Sequence, residues 1–181
     1  GYYHNKFWNG ARGDKDKSHY HIDPLFRLSE LYLDYAEAVN EFAGPDGSYG
    51  GCPLTALSAI NKVRSRVGMA NVRNEYTTDA DKFRERIRNE RNVELAYEGN
   101  HYYFDIRRWK TAPETMTQTL YGMWVESCPK NAAHPNGKVY QRRELPANRN
   151  LRIWKNCMYY FPFPDEQANT MQKFENWEKW K

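Results

Sequence analysis

Three glutamates spaced four residues apart come nearest to a catalytic arrangement in this sequence. Glu90, Glu94 and Glu98 lie within FRERIRNERNVELAYEGNHYYFDIRRWK, residues 83–110, and their spacing places them on one face of a helix. Two carboxyl groups about 5 Å apart can hydrolyse a glycosidic bond, one as general acid and the other as nucleophile. The acid must keep its proton near neutral pH, so its pKa must be raised by surroundings that hold few cations.

The side chains around these glutamates are instead rich in positive charge, which favours a structural role. Four arginines share the helix, and two more follow the Gly99-Asn100 break, which is typical of a helix end. Guanidinium groups lower the pKa of neighbouring carboxyl groups and offset the repulsion between them. We therefore predict two antiparallel helices joined by a tight turn, with an ion network between them and no catalytic residue. The predicted network comprises Glu90, Arg91, Glu94, Glu98, Asp105, Arg107 and Arg108.

Aromatic side chains are the second feature with a chemical use, because flat sugar rings stack on Trp and Tyr. Several rings lie in segments without helical periodicity, and the best local candidate is the long polar stretch from Thr111 to Asn156. The predicted ligand-binding residues are Trp8, Tyr121, Trp124, Tyr140 and Trp154. Packing inside the protein is the alternative role for each of these rings.

Metal and cofactor chemistry have little support in the sequence. His19 and His21 with Asp23 could hold a transition metal on an extended strand, where alternate side chains share a face. No second cluster accompanies them, so a solvated loop is the preferred interpretation. The sequence has no GxSxG, no HExxH and no glycine-rich phosphate loop, and we predict no metal and no cofactor.

The composition argues against several classes of protein. The mean hydropathy is −0.99, and no stretch approaches the ~18 apolar residues of a membrane helix. The formal net charge is +4, but Lys and Arg are interleaved with Asp and Glu rather than forming the basic face typical of nucleic-acid binding. Three cysteines without CxxC spacing indicate neither a zinc site nor a thioredoxin-type site. A bond between Cys128 and Cys157 is the alternative to three unpaired thiols.

Apolar residues at steps of three and four predict a mainly α fold. We expect helix pairs at about 25–69 and 79–110, each resembling a tetratricopeptide hairpin, and a loop-rich segment at 111–181. Asp23 and Pro24 are the expected start of the first helix. Stacked helix pairs also form the concave groove of peptide- or protein-binding adaptors, and this is the alternative function.

Four segments together resemble the SusD/RagB family, and they occur in the order that the family shows. The segments are FRLSELYLDYAEAVNE (26–41), ALSAINKVRSRVGM (56–69), IRNERNVELAYEGNHYYFDIRRWK (87–110) and YYFPFPDEQANTMQKFENW (159–177). The departures are small: Phe163 stands where the family usually has Ile, and the tail differs. The resemblance implies a SusD-like fold built from tetratricopeptide-like hairpins and long irregular loops.

The same resemblance implies a function and a location. It implies a binding protein rather than an enzyme, lipid-anchored at the cell surface of the outer membrane. The ligand would be an oligosaccharide, and the partner a TonB-dependent, SusC-like outer-membrane transporter. The chain would be the carboxy-terminal fragment of a longer protein, whose lipid anchor lies outside this sequence. In the family the 83–110 stretch is a scaffold element, which agrees with the ion network predicted from its residues.

Overall fold

The computed structural model describes residues 6–7, 24–147 and 152–170, and it divides the chain into two compact units. The first unit spans residues 7–104, and the second combines residues 1–6 with residues 105–181. The described residues are mainly α-helical, so the fold class predicted from the apolar spacing is confirmed. The predicted ligand-binding Trp8 and the candidate metal ligands at 19, 21 and 23 lie outside the described residues.

Helix α1 (Leu28–Ala43) begins four residues later than predicted. Its N-cap is Arg27, whose backbone is extended at φ −147° and ψ 160° and whose side chain makes no capping hydrogen bond. Pro24 therefore precedes the helix instead of occupying its first turn, and Asp23 lies outside the described residues. The helix starts at Leu28 because the side chain of Arg27 binds carboxylates elsewhere in the unit, and this fixes the residue in an extended conformation.

Helix α2 (Ala56–Ser65) begins with a reciprocal cap. The N–H of Ser58 donates to the side-chain oxygen of Thr55 at 3.1 Å, and the N–H of Thr55 donates to the side-chain oxygen of Ser58 at 2.8 Å. Such a capping box satisfies two N–H groups that the first helical turn leaves without partners. The hydroxyl of Tyr35 in α1 donates to the main-chain oxygen of Leu54 at 2.6 Å, and so links α1 to the start of α2.

Helices α3 (Ala80–Glu94) and α4 (His101–Arg108) follow a 3-10 turn at Asn74–Tyr76. The carboxylate of Asp79, the N-cap of α3, accepts the N–H of Lys82 at 2.8 Å, as expected for an aspartate in this position. The six residues between α3 and α4 form the turn that the sequence predicted at Gly99-Asn100, and both of these residues have positive φ.

The core of the first unit lies where α1, α2 and α3 meet. It comprises Leu33, Ala36, Val39, Ala56, Ala59, Ile60, Val63, Val72, Phe83, Ile87 and Leu95. Full burial of a side chain such as Leu33 or Phe83 contributes about 1.5–3 kcal/mol to stability. The amide nitrogen of Asn40 donates to the main-chain oxygen of Ala80 at 2.9 Å, so α1 also holds the start of α3 in place.

The second unit, which includes the segment 111–181 predicted to be loop-rich, contains several short regular elements. Its elements are α5 (Ala112–Thr117), β1 (Tyr121–Ser127), β2 (Lys138–Glu144), a 3-10 turn at Asn156–Tyr159 and α6 (Asp165–Thr170). Strands β1 and β2 form an antiparallel pair that is exposed along most of its length. Across both units, no helix in the described ranges is long and apolar enough to span a membrane.

Candidate functional site

An ion network at the end of α3 is built around Arg27. Its guanidinium donates to Glu94 Oε1 at 2.5 Å from Nη1 and to Glu98 Oε2 at 2.6 Å from Nε. Nη2 also donates to the main-chain oxygen of Glu94 at 2.7 Å and to Glu98 Oε1 at 3.1 Å. Burial lowers the pKa of Arg27, but the hydrogen bonds to Glu98 and Glu94 outweigh burial, so the pKa rises above its ordinary value. One cation thus binds two of the three glutamates.

Helix α2 supplies further cations to the same glutamates. Arg64 donates to Glu90 at 2.8 Å, and Arg86, from α3 itself, donates to the same carboxylate at 2.9 Å. Arg66 donates to Glu94 at 2.8 Å. Arg27, Arg64 and Arg66 are not among the predicted members of the network, since each lies at least 26 residues from its glutamate and no local spacing connects them.

The other predicted members of the network have different neighbours. Arg91 binds Asp34 of α1, and Arg108 donates to Asp105 at 2.8 Å within α4. Arg107 donates to the main chain of the 3-10 turn that follows β2, at 3.3 Å. The described ion pairs of the three glutamates run to the start of α1, to α2 and within α3.

Glu98 is not on the helix that the i+4 spacing predicted for it. Helix α3 ends at Glu94, and Leu95 leaves helical geometry with φ −96° and ψ 13°. Glu98 lies in the turn before α4, yet its side chain is only 4% exposed because Arg27 binds it. Each of the three carboxylates is held by at least one guanidinium, so this region is an ion network and not an open acidic cleft.

The antiparallel hairpin of β1 and β2 carries three of the predicted ligand-binding aromatic residues. In its register Tyr121 is opposite Glu144, Trp124 is opposite Gln141 and Val125 is opposite Tyr140. Side chains alternate between the two faces of a strand, and directly opposed residues share a face. The Trp124 face carries Gly122, Trp124, Glu126, Gln141 and Arg143, and the tyrosine face carries Tyr121, Met123, Val125, Tyr140 and Arg142. Tyr121 and Tyr140 therefore cannot share a binding surface with Trp124.

The Trp124 face combines an accessible indole ring with hydrogen-bonding groups. The indole N–H of Trp124 donates to Glu126 at 2.6 Å, and the guanidinium of Arg143 lies 4.9 Å from the centre of the ring. Arg143 also donates to Gln141 at 2.5 Å and to Glu126 at 3.3 Å. These contacts fix the orientation of the indole, while 50% of the Trp124 side chain remains exposed. The result is a preoriented ring bordered by a carboxylate, a carboxamide and a guanidinium.

The tyrosine face carries charged groups as well, because Glu144 is opposite Tyr121 and Lys138 is opposite Ser127. The guanidinium of Arg142 lies 4.1 Å from the ring centre of Tyr121, and Val125 and Tyr140 are exposed beside each other across the strand pair. Tyr121 and Tyr140 are separated by four residue positions along the hairpin. At about 3.4 Å per residue this is roughly 14 Å, so the two rings cannot contact the same sugar unit.

Trp154 belongs to a packed cluster in the second unit. Its ring meets that of Tyr159 edge to face at 4.9 Å, and the guanidinium of Arg107 lies 5.1 Å from the ring centre. Lys110 in turn lies 4.2 Å from the centre of the Tyr159 ring. Trp154 is half-buried in this cluster, which matches the packing role that the sequence left open for each ring.

The potential metal ligands and the cysteine thiols of the described residues form no metal cluster and no disulfide. In the described part of the chain, no group of three or more His, Cys, Asp or Glu side chains is placed to hold a metal ion. Cys52 is exposed, Cys128 is half-buried and Cys157 is buried, and all three thiols are free. The alternative of a bond between Cys128 and Cys157 is therefore wrong.

Comparison with known proteins agrees with the resemblance seen in the sequence. The sequence model of the SusD family matches residues 1–180. The "SusD-like protein P25" of Formosa agariphila is 34% identical over 123 residues, which are 66% of this chain and 21% of that protein. The chain thus matches about a fifth of the length of this curated relative. No solved structure matches the chain. Because the family model covers nearly every residue, the chain belongs to the SusD family.

Proposed function

We propose that this chain is part of a cell-surface protein that captures oligosaccharides for nutrient uptake. Membership of the SusD family supports a nutrient-binding role in general. The choice of a saccharide as ligand depends on the Trp124 face. It presents one exposed indole together with groups that can both donate hydrogen bonds to hydroxyls and accept hydrogen bonds from them.

The Trp124 face suits a sugar for a physical reason. A pyranose has a flat C–H surface that an aromatic ring covers well, and its equatorial hydroxyls project sideways toward groups at the edge of the ring. Glu126 lies at the N–H edge of the Trp124 ring, and the guanidinium of Arg143 lies over one face of the ring. Arg143 is in turn hydrogen-bonded to Gln141. Because the ring is already held by Glu126 and Arg143, binding a ligand costs little side-chain entropy.

The rest of the proposal follows from the family. The captured oligosaccharide would pass to a TonB-dependent, SusC-like transporter in the outer membrane. The protein would be held at the outer surface of that membrane by a lipid anchor outside this chain. Family members are binding proteins rather than enzymes, and the glutamates of this chain are held in ion pairs. We therefore propose a role in capture and delivery, with no catalytic step.

Tryptophan fluorescence tests this proposal directly. The chain and its Trp124→Ala variant are titrated with malto-, cello-, xylo- and laminari-hexaose while quenching is recorded. We expect one glycan to bind saturably and Trp124→Ala to weaken its Kd by roughly tenfold or more, which equals about 1.4 kcal/mol of binding free energy.

The control is Tyr140→Ala on the tyrosine face, which should leave the Kd within about twofold. Saturable binding that survives Trp124→Ala and is lost in Tyr140→Ala would assign the ligand to the opposite face. Absence of binding to every glycan would contradict the saccharide proposal. Calorimetry repeats each titration, since removing a tryptophan also removes part of the fluorescence signal.

The alternative function is that of a peptide- or protein-binding helical-repeat adaptor. The observation that favours it is an apolar cleft of about 300 Å³ on α1, lined by Tyr35, Ala38, Val39, Phe42 and Tyr49. Phe42 and Tyr49 meet edge to face at 5.4 Å and are both exposed. Binding of unstructured peptides that is lost in Phe42→Ala, without binding of any glycan, would favour this alternative.

A further inference from the structure

The turn between α3 and α4 borders a further concave surface of the described chain. The cavity measures about 560 Å³, which lies within the range of small-molecule sites. Its described lining belongs to the first unit and includes none of Tyr121, Trp124, Tyr140 and Trp154. Its polar and aromatic lining residues include Asn92, Tyr97, Asn100, His101, Tyr102 and Tyr103.

The backbone of this turn is held in an unusual conformation. Tyr97, Gly99 and Asn100 have φ values of +63°, +45° and +58°. Left-handed torsions are unfavourable for a residue with a side chain as large as that of Tyr, and they persist only where the surroundings determine them. This backbone conformation directs the side chain of Tyr97 outward, and Tyr97 is 74% exposed.

Two anchors maintain this conformation. Leu95 is buried in the core of the first unit, and Glu98 is held by two hydrogen bonds from Arg27. Tyr97 lies between these anchors, so its main chain cannot relax without disturbing one of them. On the α4 side, the imidazole of His101 is half-buried with Nδ1 3.6 Å from the carboxylate of Glu30. The cavity is therefore bordered by residues whose positions are fixed from outside it.

The lining indicates what kind of molecule fits. Three phenol rings supply flat apolar surface, and the carboxamides of Asn92 and Asn100 can both donate and accept hydrogen bonds. The described lining contains no Lys or Arg, and its one carboxylate, Glu98, is bound to Arg27. Among the described lining residues an anionic ligand would find only His101 as a possible cation, and the imidazole already faces Glu30. A wholly apolar ligand would leave the carboxamides without partners. The chemistry that remains is that of a neutral polyhydroxylated ring.

From these observations we infer that the cavity at the α3–α4 turn is a second saccharide-binding position, separate from the Trp124 face. Tyr97 covers the flat face of one sugar unit, and Asn92 and Asn100 bind its hydroxyls. This inference rests on the proposed function, because it adds a position for the same class of ligand. A volume of about 560 Å³ accommodates one or two sugar units, so it takes the end of a chain or a side branch.

Variants that keep the left-handed backbone can test the cavity without unfolding the turn. Tyr97→Gly and Asn100→Gly each remove a side chain at a position where glycine adopts the required φ at no steric cost. Lys110→Gly is the matched control, since Lys110 also has a left-handed φ of +61° and does not line the cavity. All variants are compared by melting temperature, and we expect none to fall below the parent by more than a few degrees.

Saturation-transfer difference NMR with the four hexaoses then measures binding in the full chain and in the Trp124→Ala background. We expect Tyr97→Gly to weaken binding at least fivefold in the parent and to remove the binding that remains in Trp124→Ala. Equal affinities for Tyr97→Gly, Asn100→Gly and Lys110→Gly in both backgrounds would overturn the inference and leave the proposed function intact. If no hexaose binds the parent, the proposed function fails and the inference fails with it. Loss of binding in Tyr97→Gly but not in Trp124→Ala would support the cavity and reject the Trp124 face.

Discussion

Replacing Arg27 by Met is the sharpest test of how this fold is stabilised. The substitution keeps an apolar stem of similar length and removes only the guanidinium, which bridges Glu94 and Glu98 with hydrogen bonds of 2.5 and 2.6 Å. The two carboxylates lie 67 and 71 residues further along the chain. Arg27 therefore links the start of α1 to the end of α3 across a long stretch of chain. The free energy of unfolding measures how much this link contributes to stability.

The size of the effect follows from burial. Removing one partner of a buried ion pair costs about 3–5 kcal/mol, whereas an exposed pair contributes about 0–1 kcal/mol. Arg27 is 24% exposed and Glu98 is 4% exposed, so we place Arg27→Met at the low end of the buried range, about 3 kcal/mol. In a chain of this size each kcal/mol shifts Tm by about 2–4 °C, so the expected loss is about 6–12 °C.

Arg66→Met is the matched control, because Arg66 binds the same Glu94 at 2.8 Å but is 56% exposed. We expect it to cost less than about 1 kcal/mol, and we expect that cost to vanish in about 1 M salt, where surface pairs are screened. Urea unfolding followed by circular dichroism gives both values, and a Glu98→Gln partner completes a double-mutant cycle. Equal losses for the two arginine variants, or a loss below about 1 kcal/mol for Arg27→Met, would refute the claim that burial decides the strength of this network.

Two further predictions use titrating groups outside the network. The pKa of Asp79 lies below its ordinary value because the carboxylate accepts a backbone N–H in the first turn of α3, so its stabilisation is present above about pH 4 and is lost as the pH falls below it. Asp79→Asn keeps the cap without the charge, so the stability advantage of the parent over this variant should shrink between about pH 5 and pH 2.5. The pKa of Cys52 is lowered mainly by a backbone hydrogen bond at Leu54, and the thiol is exposed. At about pH 7.5, iodoacetamide should therefore alkylate Cys52 well before the buried Cys157, as read by peptide mass spectrometry, and the reverse order would contradict this assignment.

The helices could be predicted from the sequence because their cores are local patterns. Residues such as Ala36, Val39, Ile60 and Val63 recur at helical spacing, and all of them are buried in the structure. The start of α1 was misplaced because Pro24 offers a strong local signal. The competing reason for a later start is the ion pairing of Arg27 with residues about 70 positions away, and no local pattern contains it.

The candidate site shows the same division between local and non-local information. The sequence correctly singled out Trp124, Tyr121 and Tyr140 as lying outside the helices, but it did not show which of them share a face. That depends on the pairing of β1 with β2, since a shift of one residue moves every side chain of a strand to the opposite face. Once the strand is known, the odd separation between Tyr121 and Trp124 places them on opposite faces.

The ion network and the cavity at the α3–α4 turn share a residue, because Glu98 binds Arg27 and also lines the cavity. Glu98 lies between Tyr97 and Gly99, so the guanidinium that neutralises it also fixes the main chain on which the cavity depends. The network therefore also positions the binding surface that we propose at this turn. It follows that loss of Arg27 should weaken saccharide binding in the cavity, while binding at the Trp124 face, in the other unit, should remain as it was. If Arg27 only stabilised the fold, its loss would leave saccharide binding at both positions unchanged below the melting temperature. Weaker binding in the cavity alone would therefore show that Arg27 also positions the cavity, although it contacts neither ligand.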